Sequence, residues 1–313
     1  MFKNVEKKVR IMKNAESLRS YLFSAALLAV LFTAGCGGSS NPTEESANRF
    51  EGEAFGLVTS DVGEAWFTVN GDATILVFSR HDENWSNHTI FEVSKSGANW
   101  GLPAPAPFSG QFNDRSPRFY PALDALLFSS DRPVNAEDEA GDFNLWVVIH
   151  DGEEWLAPEP ISALNSDSND FHASISATGS IYFASSRPGG QGRSDLYRAV
   201  LGIEGYEVEA LPASLNTANS EADVWVDQDE EYIIFSRTDD PDGYGGDDLW
   251  ISFLEEDSWS APQNLGPKVN SAEYEYGAYV SQDKSLLFFT SHHDGDADIM
   301  SIPFSSLSIA WPE

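Results

Sequence analysis

Five acidic residues, Glu64, Asp114, Asp170, Glu221 and Glu275, each stand five positions ahead of an apolar residue in an alternating segment: Val69, Phe119, Ile175, Val226 and Val280. Carboxylates placed so regularly can do two kinds of chemistry. They can accept backbone N–H groups and lock a tight loop, or two of them can converge on a pocket as the acid and base of glycoside hydrolysis. The regularity favours the first, because scaffolding keeps a repeat's symmetry and catalysis breaks it. In three copies an Asn stands five residues before the acid, at Asn165, Asn216 and Asn270. Two residues after the acid the chain places Trp66, Ser116, His172, Asp223 and Gly277, no two alike. With Arg118, Arg187, Arg237 and His293 nearby, these unequal positions and the five acids form the candidate binding surface. No residue stands out as catalytic.

Other constellations are thinner. Asp294, Asp296 and Asp298 have the alternate spacing that begins a calcium loop, but no Gly follows at the sixth position and no Glu closes the twelfth. They are the weak calcium candidates, against a solvated acidic turn, and no other cofactor is expected. The histidines show no metal-ligand spacing, no G-x-S-x-G elbow occurs, and Gly189 to Gly192 fits no phosphate-binding loop.

The elements that must position these residues follow from Ile181 to Tyr197, which reads as a strand, a glycine-rich turn and a second strand. In register, Phe78, Phe128, Phe183, Phe235 and Phe289 recur with steps of 50, 55, 52 and 54 residues. Each is followed by an apolar pair opening a further strand (Ile90-Phe91, Leu145-Trp146, Leu196-Tyr197, Leu249-Trp250, Ile299-Met300), then by an aromatic marking a fourth segment (Trp100, Trp155, Tyr206, Trp259, Trp311). Four strands per unit at this period signal propeller blades.

The run Phe183-Ala-Ser-Ser-Arg187-Pro-Gly-Gly-Gln-Gly-Arg-Ser-Asp195-Leu-Tyr197 resembles the core of the WD40-like β-propeller repeat of TolB-like proteins, and blade four repeats it loosely from Phe235 to Trp250. The resemblance implies an all-β, five-bladed β-propeller of four-stranded blades, with repeats at about 64–113, 114–169, 170–220, 221–274 and 275–313. In a propeller the loop entering the first strand and the loop between strands two and three open on one face, so the acids should ring its central funnel. Asp195 and Asp248 should hold the glycine-rich turns to strand three. The chain ends where the fourth strand of the last blade should begin. Phe50 to Thr59, with Phe55, Leu57 and Val58, is therefore expected to close the ring as an N-terminal strand, since an open edge is a liability.

Upstream, residues 1–36 read as an export signal. Tyr21 to Ala34 is apolar but too short to span a bilayer, and Thr33-Ala34-Gly35-Cys36 resembles a bacterial lipobox in which Cys36 is acylated. Met12 offers an alternative start. Gly37 after the cysteine suggests the outer membrane, residues 37–54 form a small, polar tether, and residues 55–313 form a single domain. With one Cys and no disulfide, stability must come from the core. The formal net charge of −32 repels nucleic acid and anionic headgroups. These observations lead to a monomeric, lipid-anchored envelope lipoprotein that binds an envelope protein or a glycan without catalysis. A glycoside hydrolase with carboxylates in the funnel, as in five-bladed arabinanase- and levansucrase-type propellers, is the alternative, and a purely structural role is the third reading.

Overall fold

The computed structural model describes residues 58, 60, 62–82, 86–97, 99–120, 124–135, 141–203, 205–292 and 295–312. The leader with Cys36, the tether, His293 and Asp294 lie outside them.

Five antiparallel sheets run outward in chain order. Blade 1 holds β1 (Glu64–Val69), β2 (Ile75–His81), β3 (His88–Ser96) and the short β4 (Asn99–Trp100) and β5 (Ala104–Pro105). Blade 2 holds β6 (Asp114–Tyr120), β7 (Ala125–Ser130), β8 (Asn144–Ile149) and β9 (Glu159–Pro160). Blade 3 holds β10 (Asp170–Ile175), β11 (Ile181–Ser185), β12 (Asp195–Gly202) and β13 (Gly205–Ala210). Blade 4 holds β14 (Glu221–Val226), β15 (Tyr232–Thr238), β16 (Asp247–Glu255), β17 (Ser258–Trp259) and β18 (Gln263–Asn264), and blade 5 holds β19 (Glu275–Val280), β20 (Leu286–Ser291) and β21 (Asp298–Pro303). The first strands β1, β6, β10, β14 and β19 touch in sequence, and β19 touches β1 again. The protein is an all-β, five-bladed propeller.

Two-residue periodicity explains why the blades stack. Alternate side chains of a strand leave opposite faces of its sheet, so Ile181 and Phe183 of β11 pack toward blade 2 while Tyr182 and Ala184 pack toward blade 4. Five such apolar layers fill the five seams. The aromatic of each fourth segment clamps its blade to the preceding one. Trp155 donates its indole N–H to Glu92 at 2.5 Å, Trp259 meets Tyr182 at 6.0 Å, and Trp311 meets Tyr232 at 5.6 Å and Phe253 at 5.1 Å.

At the closing seam, the amide of Glu64 donates to the carbonyl of Ala297 at 2.8 Å. Of the segment expected to close the ring, Val58 alone is described. It is in helical rather than extended conformation and is buried against Phe288 and Ile299. Among the described residues blade 5 has three strands. Its chain then makes one 3-10 turn (Phe304–Ser306) and runs to Trp311 without a fourth.

Candidate functional site at the upper face

Each first strand begins on one of the five acids, which defines an upper face. None of the five is more than 1% exposed. A hydroxyl residue just upstream and a basic residue at the end of strand two occupy the carboxylates. Asp170 accepts from the Ser166 amide at 2.5 Å, the Ser166 hydroxyl at 2.8 Å and Arg187 at 2.7 Å. Glu221 accepts from Thr217 N and Oγ1 at 3.0 and 2.6 Å and from Arg237 Nε at 3.0 Å. Glu64 is held by Ser60 and Arg80, and Asp114 by Ser109 at 2.8 Å and Arg132 at 2.6 Å. In blade 5, Glu275 accepts from Ser271 and from Ser291, which faces it in register as Ser130 and Ser185 face their acids in blades 2 and 3 and as Arg80 and Arg237 do in blades 1 and 4. The guanidinium groups lie over the recurring Phe and the aromatic of strand three: Arg187 is 5.1 Å from the Phe183 centroid and 4.9 Å from that of Tyr197. Stacked aromatic, arginine and carboxylate form one repeated unit, in which the acid is satisfied internally.

The other recurring polar residues are structural too. Asn216 accepts the Leu196 amide at 2.8 Å and donates to the Leu196 carbonyl at 3.0 Å, so its side chain pairs with β12 as a strand would. Asn165 and Asn270 do the same to Leu145 and Leu249. Asp195 accepts the amides of Gln191 and Gly192, and Asp248 that of Tyr244. Gly190 and Gly243 are needed because a Cβ on either would come within 2.0 Å of the carboxylate it encircles.

The unequal positions share a conformation that their residue types do not advertise. Trp66, Ser116, His172, Asp223 and Gly277 all have φ between 50° and 66°. Each sits where the register between strands one and two slips by a residue. Such a bulge re-aims its side chain, here toward the axis, where the five blades meet. Trp66 lies 5.4 Å from the His172 ring, 5.3 Å from His88 and 5.2 Å from Tyr276, and its indole N–H donates to Asp223. His172 Nδ1 accepts the Asp223 amide at 3.2 Å, which assigns the ring proton to Nε2 of a neutral imidazole. Burial, then the Arg115 and Arg118 charges, hold His172 well below its ordinary value. Burial pushes Asp223 up to about 7, against the opposing pull of Trp66 and Arg118. Among the described residues, Ser116 Oγ, Arg115 Nε and His172 Nε2 have no hydrogen-bond partner. Buried polar atoms in that state mark a site that water or a ligand completes.

The structure thus separates residues the sequence grouped together. Glu64, Asp114, Asp170, Glu221, Glu275, Arg187 and Arg237 belong to the internal ring, while Trp66, His172 and Asp223 meet on the axis. Arg118 points lower, donating to the carbonyls of Phe67 at 3.0 Å and Ala278 at 2.8 Å. Sequence reasoning missed Arg80 and Arg132, whose offset from the recurring Phe varies, and the axial residues Arg115 and Tyr276, each one place after an acid. Of the calcium candidates, Asp294 lies outside the described residues, and among those described no group of three His, Cys, Asp or Glu is arranged to hold a metal.

No known family and no curated protein matches the sequence. Solved structures similar in fold include one described as "putative TolB" from Agrobacterium tumefaciens, at TM-score 0.52 and 13% identity over 78% of this chain and 78% of that one. By fold alone, the chain is similar to a TolB-like β-propeller. A structure described as a glycoside hydrolase is similar at TM-score 0.54 and 8% identity, covering 87% of this chain and 99% of the other. At these identities the likeness of either to this propeller is one of architecture, and function must be argued from the site.

Proposed function

We propose that the protein is a lipoprotein of the bacterial envelope, anchored through Cys36 and probing its surroundings with the upper face of the propeller, where it binds a protein or glycan partner without catalysis. The observation that carries this reading is that all five ring carboxylates are buried and engaged by Ser, Thr or Arg. Of the five bulge side chains on the axis, Asp223 alone is a carboxyl, whereas glycoside hydrolysis uses two, facing each other about 5–9 Å apart. Binding has visible anchors. Tyr244 and Tyr274 are 50% and 47% exposed, on the turn of blade 4 and on the adjacent loop leading into blade 5. Exposed aromatics of this kind serve as interface hot spots.

Two measurements test the reading. A palmitate analogue should label the wild type and not Cys36→Ser; label in both would remove the anchor. The full chain, cross-linked in envelope preparations, should capture a defined partner that the Tyr244→Ala, Tyr274→Ala double variant loses. Turnover of arabinan or levan that disappears in Asp223→Asn would instead establish an enzyme.

A further inference from the structure

At the opposite end of the axis, where the first strands finish, lies a pocket of about 140 Å³ lined from all five blades. Its wall contains one residue per blade from the same register, four places after each acid: Thr68, Arg118, Ser174, Trp225 and Tyr279. Like the bulge positions above, these break the fivefold repeat. A structural filler would repeat; here the blades supply three hydroxyls, one guanidinium and one indole.

The lining specifies its occupant. Thr68 Oγ1 accepts the Phe119 amide at 3.4 Å and Ser174 Oγ the Val226 amide at 3.1 Å, which leaves each O–H as a donor. Arg118 brings a buried positive charge whose hydrogen bonds go to neutral carbonyls. Asp227, buried and held by Lys284 at 3.1 Å, brings negative charge to the wall and the exposed Asp229 brings it to the rim. Charges of both signs in so small a space disfavour a cation and an anion alike. Donors and acceptors around an aromatic wall of Phe119, Trp225 and Tyr279 suit a neutral ring that carries hydroxyls on its edge and C–H groups on its face. The volume is close to the ~150 Å³ that admits a benzene-sized ring, so the ring of one sugar unit can enter while its outer hydroxyls stay at the open mouth.

We infer that this lower pocket binds a neutral sugar, one pyranose or furanose unit, as a free monosaccharide or the end of a glycan. It lies at the other end of the axis from the upper-face partner site and stands or falls independently of it.

Saturation-transfer NMR on the full chain in detergent, with glucose, galactose, mannose, arabinose and N-acetylglucosamine as probes, decides the matter. At least one should receive magnetisation with a dissociation constant on the order of 1 mM, and it should perturb an indole resonance assigned through Trp225→Phe. Tyr279→Phe removes one hydroxyl at nearly constant shape, and Asp229→Ala alters an exposed rim residue. Each should weaken binding about five- to tenfold while the Tyr244→Ala, Tyr274→Ala variant leaves it unchanged. Absence of transfer from all five sugars overturns the proposal. So does transfer indifferent to both pocket variants, or preferential binding of acetate or methylammonium.

Discussion

Trp66 and Asp223, 157 residues apart in the chain, meet on the propeller axis, where the indole N–H of blade 1 donates to the carboxylate of blade 4. Burial raises the Asp223 pKa to about 7, so the carboxyl changes charge near neutrality. Because the folded value lies above the unfolded one, the protonated acid favours the fold. Its contribution is present below the ordinary value of 3.8 and is lost as pH rises through about 7. The Trp66 indole resonance should titrate with a midpoint near 7 and become flat in Asp223→Asn. A wild-type resonance unmoved between pH 5 and 9 would contradict the assignment.

Arg237 and Ser291 solve the same problem in different blades. Arg237→Ala would leave Glu221, whose pKa burial already raises, as a buried carboxylate without its cation, at an expected loss of about 3–5 kcal/mol. Ser291→Ala removes one uncharged donor from Glu275 and should cost less, about 1–3 kcal/mol. Denaturant unfolding of the two variants gives the order directly, and the reverse order would refute it.

Gly190 and Asp195 form a unit. Asp195→Ala orphans the Gln191 and Gly192 amides and should lower stability by about 1–3 kcal/mol. Gly190→Ala displaces the same carboxylate, so the two losses should fall short of additive in the double variant. Strict additivity would mean that the turn does not depend on the carboxylate.

Glu230 makes a pH prediction of opposite sign. Burial alone would raise its pKa, but hydrogen bonds from Thr178, Tyr182, Ser176 and Ser180 outweigh it and hold the value at about 2, and Arg198 pairs with it at 2.5 Å. A depressed folded value means the stabilisation is complete above the ordinary 4.5 and is lost as pH falls toward about 2. Glu230→Gln should therefore flatten the acid limb of a thermal-melting profile. If the limb is unchanged, other carboxylates govern acid unfolding.

The blades were legible in the sequence because their signals are short-range: the acid precedes the recurring Phe by 13 or 14 residues, and the strand-opening pair follows that Phe by 10 to 17. The five left-handed bulges were not, since Trp66 and Ser116 are not residue types that favour positive φ, and the tolerance of His172, Asp223 and Gly277 for it is too common along the chain to single these positions out. Arg80 and Arg132, two of the four ring arginines, escaped for a similar reason. Arg80 and Arg237 follow the recurring Phe by two residues, Arg132 and Arg187 by four, so a fixed template overlooks that they converge in space. Trp311 was expected where a fourth strand should start, yet what repeats at that position is the clamp onto the preceding blade, a matter of side-chain packing rather than of strand pairing.

The seam between blade 5 and blade 1 sets the order in which the molecule can be completed. β1 leaves the ribosome or an export channel before every other strand, yet its neighbours across the seam, β19 to β21, come last. Until they arrive, Phe67, Val69 and Leu76 lack Phe288 and Ile299, the residues that cover them, and Arg118 lacks the Ala278 carbonyl. Contacts spanning nearly the whole chain make folding slow and leave sticky intermediates. A chain emerging from its N-terminus thus carries its most exposed apolar surface on its oldest part, and a holding chaperone would be needed most for blade 1, right up to the moment the last blade returns.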